Sequence, residues 1–142
     1  MKRLLLDAGP LIALFHAKDR DHQVCLTGFQ QLIAQKTEML APHPIVYEVH
    51  KWFMHNAAPR DARKALTGME QSVRFLYVDD VIFQSVTHLQ TSLIDWAGTL
   101  EDATVAVMAL HYRCPVWTLK LAAALTRIHV ETWSFQALHS AP

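Results

Sequence analysis

Residues 2–14 read KRLLLDAGPLIAL, and this stretch sets the fold class. Its first half, Lys2 to Leu6, is a short apolar run that stops at Asp7. A strand buried on both faces reads as continuous apolar rather than alternating, so the run suits the interior of a parallel sheet. Gly9-Pro10 then breaks the chain, and Pro10 can open a short helix over LIALFHA.

Working outward, the same alternation repeats. DRDH (19–22) supplies helix-starting acids, and Cys25, Phe29, Leu32 and Ile33 follow at i, i+4, i+7 and i+8, the inward stripe of a helix. MLAPH (39–43) reads as a second strand. A helix from about Pro44 carries Ile45, Val46, Val49, Trp52 and Phe53 on one face and ends across Asn56 to Pro59. Another turns Ala62, Ala65, Leu66 and Met69 inward. RFLYVD (74–79) is expected as the third strand and VIFQSVTHLQTSL (81–93) as a helix. Asp95 to Gly98 forms a loop, and Thr99 caps a helix over 100–112 that is apolar nearly all round and hence buried. CPVWTL (114–119) gives a fourth strand, LAAAL a helical link, and RIHVETW a last strand. Strands alternating with helices imply an α/β fold, a five-stranded parallel sheet with helices on both faces in three layers. No repeat or linker divides it, so one domain is expected over 1–142.

Composition limits the function classes. Half of the 142 residues are hydrophobic, enough for a substantial core. Lysines and arginines equal aspartates and glutamates, so the chain as a whole has no pull on nucleic acid, and any such binding needs a local patch. Cys25 and Cys114 lie far apart and in no CxxC, and read as buried free thiols in a reducing compartment. No apolar run is long enough to span a bilayer and the opening carries no small-residue cleavage site, so a cytosolic location is expected.

Three acids sit where such a fold would gather them. Open parallel sheets bind ligands beyond the carboxyl ends of their strands. Asp7 ends the first strand, Asp102 lies in the first turn of the buried helix, and Glu48 shares the inward face of Ile45 and Trp52. Burying a lone carboxylate is costly, and one divalent cation would satisfy all three. A divalent metal held by acids alone points to phosphate chemistry.

At these residues the chain resembles the PIN domains, and among them the VapC-type toxin ribonucleases of bacteria and archaea. LLLDAGPLIALFHAKDRDHQ is similar to that group's opening, whose DxGPL-type acid is a metal ligand and matches Asp7. Its helix acid matches Glu48 in YEVH, and its LADA-type segment resembles LEDA, with the third acid at Asp102. The resemblance runs over essentially the whole chain. It implies a five-stranded parallel sheet, a homodimer, an antitoxin protein as partner, and Mg²⁺- or Mn²⁺-dependent cleavage of RNA by Asp7, Glu48 and Asp102. The family usually places a fourth acid after its fourth strand, in a T-x-D segment often written TLDxDF. This chain has Thr118-Leu119-Lys120-Leu121-Ala122 there, so an ammonium replaces a carboxylate. Lys120 and Thr118 are therefore expected to modulate the site. A binding module that has lost turnover is the alternative reading.

Other residues have plainer explanations to weigh. Thr99-x-x-Asp102 is also the spacing of a capping box. Arg60, Arg63 and Lys64 lie at i, i+3 and i+4, either as a solvated face or as an edge that tracks RNA phosphates. Trp52 and Trp96 could stack bases, although Trp52 lies on the core stripe. The spacing of the nine histidines gives no zinc motif. No P-loop, GxGxxG or Ser-His-Asp arrangement occurs.

Overall fold

The computed structural model describes residues 1–135; residues 136–142, the end of the expected domain, lie outside the description. Five strands form one parallel sheet: β1 (Arg3–Leu6), β2 (Glu38–Pro42), β3 (Arg74–Leu76), β4 (Val116–Trp117) and β5 (Thr132–Trp133). Their order is β3-β2-β1-β4-β5, so the strand from the opening stretch is central. Leu5 and Leu6 pair with Val116 and Trp117 on one side, and Leu4 and Leu5 with Met39 and Leu40 on the other. Leu4, Leu5 and Leu6 are wholly buried, as a strand covered on both faces must be.

Seven helices connect these strands among the described residues: α1 (Ala8–Phe15), α2 (His22–Ala34), α3 (His43–Asn56), α4 (Pro59–Ser72), α5 (Asp80–Ser92), α6 (Leu100–Tyr112) and α7 (Ala122–Arg127). Right-handed crossovers place α1 to α4 on one face as the chain moves from β1 to β3. The return to β4 and β5 places α5 to α7 on the other face. The direction reverses between β1 and β4, so a crevice opens at their carboxyl ends.

Several expected elements are shorter or shifted. α1 starts directly after Asp7 and includes Gly9 and Pro10, because proline is tolerated in a first turn whose N–H groups have no helical partner. Of RFLYVD only Arg74–Leu76 pairs, since β3 is an edge strand with one neighbour. CPVWTL contracts to Val116–Trp117. RIHVETW is mostly not a strand. The helix-forming AAALTR carries α7 to Arg127, and His129 turns back at φ 63°. The N–H groups of Ile128 and Val130 donate to Leu125 and that of His129 to Thr126, leaving only Thr132–Trp133 to pair. Ile33 is 61% exposed rather than inward, so α2 buries Cys25, Gly28, Phe29 and Leu32. No helix among the described residues is long and apolar enough to cross a membrane.

Candidate functional site

Asp7 and Thr118 are the first residues past β1 and β4, one on each side of the crevice. The Asp7 N–H donates to Trp117 O at 3.0 Å, which ties the two strand ends together. Asp7 occupies the N-cap position of α1, yet its side chain makes no cap hydrogen bond. Instead Thr118 Oγ1 donates to Asp7 Oδ2 at 2.8 Å. The same hydroxyl accepts from Lys120 N at 3.2 Å and Leu121 N at 3.1 Å, so the turn into α7 fixes its rotamer. Asp7 is fully buried, and its other oxygen, Oδ1, has no hydrogen-bond partner. Burial, helped by the charge of Asp102, raises its pKa against the lowering effects of the Thr118 bond, the Ala8 backbone N–H and the Lys120 charge.

Asp102 enters from α6. Thr99 Oγ1 accepts from Asp102 N at 3.1 Å, and Asp102 Oδ2 accepts from Thr99 N at 2.9 Å. The capping box is therefore real, and it consumes only one carboxylate oxygen. Oδ1 is buried without a hydrogen-bond partner. The loop before the helix is clamped. Gln90 Nε2 donates to Gly98 O at 2.7 Å, and Trp96 Nε1 donates to Gln90 Oε1 at 3.0 Å. A Cβ on Gly98 would meet Trp96 Cζ2 at 2.7 Å and Asp102 Cβ at 2.9 Å, so only glycine lets the loop lie this close.

Glu48, half-buried on α3, completes the acid group. Its pKa is pushed up to about 7, first by burial and then by the charge of Asp7, with Glu101 and Asp102 adding to the rise and Lys120 opposing it. Lys120 Nζ lies 3.5 Å from Asp102 Oδ1, in ion-pair range but without a completed hydrogen bond. Burial lowers the lysine pKa, but Asp102, Asp7 and Glu48 outweigh it and the net shift is upward.

Two orphaned carboxylate oxygens, each buried and each held by a hydrogen bond to its sibling atom, fit a hard divalent cation in donor chemistry. Among the described residues no three His, Cys, Asp or Glu side chains converge tightly enough to hold an ion as they stand, and the nearest cation to Asp102 is Lys120.

The sequence reading thus placed Asp7, Glu48, Asp102, Thr118 and Lys120 in one neighbourhood, and the structure brings them together. It missed Glu101, whose charge acts on Glu48; its one signal was its position beside Asp102 in LEDA. Arg60, Arg63 and Lys64 are exposed and line a shallow depression of α4 with Thr67, Gly68 and Gln71, with no acid of the site among them. Trp96 is buried and bonded to Gln90, and Trp52 is half-buried and packs in edge-to-face geometry with His16 and Phe53. Cys25 and Cys114 are buried, unpaired thiols; burial pushes Cys25 up to about 12, which leaves it inert as a nucleophile. A groove of about 900 Å³ between α5 and α6 is lined by side chains such as Leu89, Leu93, Val107 and Leu110, with none of the acids among its lining.

No family model matches the chain, and no curated protein matches it in sequence. Solved structures do match. Mycobacterium tuberculosis VapC20, described as a sarcin-ricin loop cleaving toxin, superposes with a TM-score of 0.78 at 13% identity, covering 93% of this chain and 99% of that one. The fold is that of the PIN-domain VapC toxins. VapBC2 from Rickettsia felis, bound to a DNA fragment from its promoter, matches with a TM-score of 0.74 at 11% identity over 94% and 99% of the two chains. VapBC-1 from nontypeable Haemophilus influenzae gives 0.69 at 14% identity over 93% and 97%. The VapC-like fold thus rests on three-dimensional form, at sequence identities of 11–14%.

Proposed function

We propose that this chain is a divalent-metal-dependent endoribonuclease, the toxin of a toxin–antitoxin pair acting in the cytosol. The carrying observation is the pair of buried oxygens that accept no hydrogen bond, Asp7 Oδ1 and Asp102 Oδ1, at the switch point of a VapC-like sheet. Asp7, Asp102 and Glu48 would hold Mg²⁺ or Mn²⁺. When bound, the ion supplies Lewis-acid stabilisation of the phosphate and a water of lowered pKa. The chain's own residues do the positioning. Thr118 holds Asp7 Oδ2 and leaves Oδ1 free, while Thr99 does the same for Asp102. Arg60, Arg63 and Lys64, all exposed, offer phosphate contacts along α4. Partnership with an antitoxin is supported by neighbours that are themselves toxin–antitoxin complexes.

The test is cleavage of structured and single-stranded RNA in Mg²⁺ or Mn²⁺. Asp7→Asn and Asp102→Asn are each expected to lower the rate by about a hundredfold or more, with circular dichroism unchanged. Wild-type cleavage that both variants retain would exclude these residues from the chemistry. Lys120 in ion-pair range of Asp102 favours one second reading, a PIN-fold module that binds RNA or a protein partner without turnover. An absence of cleavage, with RNA retained on the protein, would support that reading.

A further inference from the structure

The implied ion and Lys120 claim the same place. Asp7 Oδ1 and Asp102 Oδ1 both need a cation, and the ammonium 3.5 Å from Asp102 is the one cation paired with either among the described residues. Its root is fixed, because Lys120 N donates to the Thr118 hydroxyl that also holds Asp7. Its side chain is not fixed. It is 56% exposed, against 6% for that of Asp102, so the ammonium reaches the acids from solvent and can withdraw without disturbing the core. A four-carbon stem on an anchored backbone permits this swing.

We propose that Lys120 is a built-in, displaceable counter-cation: it neutralises the Asp7–Asp102 pair when no divalent ion is present, and it must swing out to admit one. The proposal rests on the metal-binding reading given above. Displacement weakens the site for metal relative to an uncharged residue at 120. It also lets the protein keep two buried carboxylates without an ion.

Calorimetric titration with Mn²⁺ and thermal melting in chelator test this on wild type, Lys120→Met, which keeps the stem but loses the charge, and Lys120→Arg, which keeps the charge. Lys120→Met is expected to bind Mn²⁺ about tenfold more tightly, a modest gain because the ion pair is half exposed. It is also expected to melt lower than wild type in chelator and to recover when Mn²⁺ is added. Lys120→Arg should stay near wild type in both. Equal Mn²⁺ affinity and equal metal-free melting for wild type and Lys120→Met would overturn the proposal while leaving the metal site intact. No Mn²⁺ binding by any of the three proteins would remove the metal reading itself, and displaceability with it. Asp7→Asn serves as the control, since loss of binding there assigns the measured ion to this site.

Discussion

Aspartate at a helix N-cap ordinarily spends its carboxylate on the exposed amides of the first turn. Asp7 does not, because Thr118 across the crevice takes one oxygen and burial isolates the other. A residue that gives up a stabilising cap to keep a buried charge facing a crevice carries a cost that a purely structural role does not explain. Glu48 shows the same tension in its titration. Its carboxyl has a pKa of about 7 in the folded chain against 4.5 for the free side chain. Below pH 4.5 it is protonated folded or unfolded and contributes nothing to the pH dependence. Between 4.5 and 7 the folded state holds a proton that the unfolded state has released, so stability falls as pH rises, and the full penalty is present above 7. Glu48→Gln removes this penalty. In chelator it is expected to exceed wild-type stability by roughly 1–2 kcal/mol at pH 8, discounted for partial exposure, and to match it near pH 4.5. Urea denaturation at the two pH values checks this; a difference independent of pH would refute the assigned cause.

At the scale of elements, α6 carries the clearest division of labour. Its interior residues Ala103, Val105, Ala106, Met108 and Ala109 are buried, so the helix is fixed by packing against the sheet. Its N-terminus is fixed separately by the capping box and by the clamp of Gln90, Trp96 and Gly98. Gly98→Ala forces a methyl group to 2.9 Å from Asp102 Cβ and 2.7 Å from the Trp96 ring. Neither neighbour is a flexible chain end, so the loop must move and carry Thr99 with it. The variant is expected to lose about 1–3 kcal/mol of stability, in the range for overpacking a filled space, and to bind Mn²⁺ more weakly. Chemical denaturation and calorimetry measure the two effects. Full retention of both would show that the loop has slack its contacts do not suggest. α7 illustrates how neighbouring elements compete for sequence: RIHVETW, with β-branched residues at alternate positions, reads as a strand, but the helix formers before it carry α7 to Arg127 and the turn at His129 takes up most of the rest.

On the scale of the whole molecule, the β3 edge presents an exposed surface of aromatic and apolar side chains among the described residues. Tyr47 on α3 is 69% exposed, Tyr77 after β3 73%, and Val81 on α5 70%. The His43 ring is close to both tyrosine rings, with centroids 6.4 and 6.3 Å away, so these three residues form one patch, and Val81 follows Tyr77 by four positions in the chain. Large exposed apolar patches of this kind mark association surfaces, and a second copy of this chain is the occupant expected from the homodimer reading. Self-association through this surface predicts a dimer at micromolar concentration that Tyr77→Asp together with Val81→Asp shifts to monomer in sedimentation. A wild-type chain that already sediments as a monomer would exclude this surface from self-association.

The amino-acid order by itself determined the fold class, because apolar runs bounded by turn residues and separated by helical stripes leave an open parallel sheet as the natural arrangement. It also located Asp7, Glu48 and Asp102, since each acid interrupts or adjoins an apolar pattern that forces it inward, and it flagged Lys120 as the residue out of character. The lengths of β3, β4 and β5 were not legible, because a strand ends where its neighbour ends rather than where its own residues change. Nor was the double use of Asp102, one oxygen capping α6 and the other facing the crevice, nor the influence of Glu101 on Glu48. Those depend on which side chains meet across residues distant in sequence, as Thr118 meets Asp7 over 111 positions. Local pattern dictates what must be buried; only the packed chain decides which buried charge finds a partner and which is left for an ion or a lysine to satisfy.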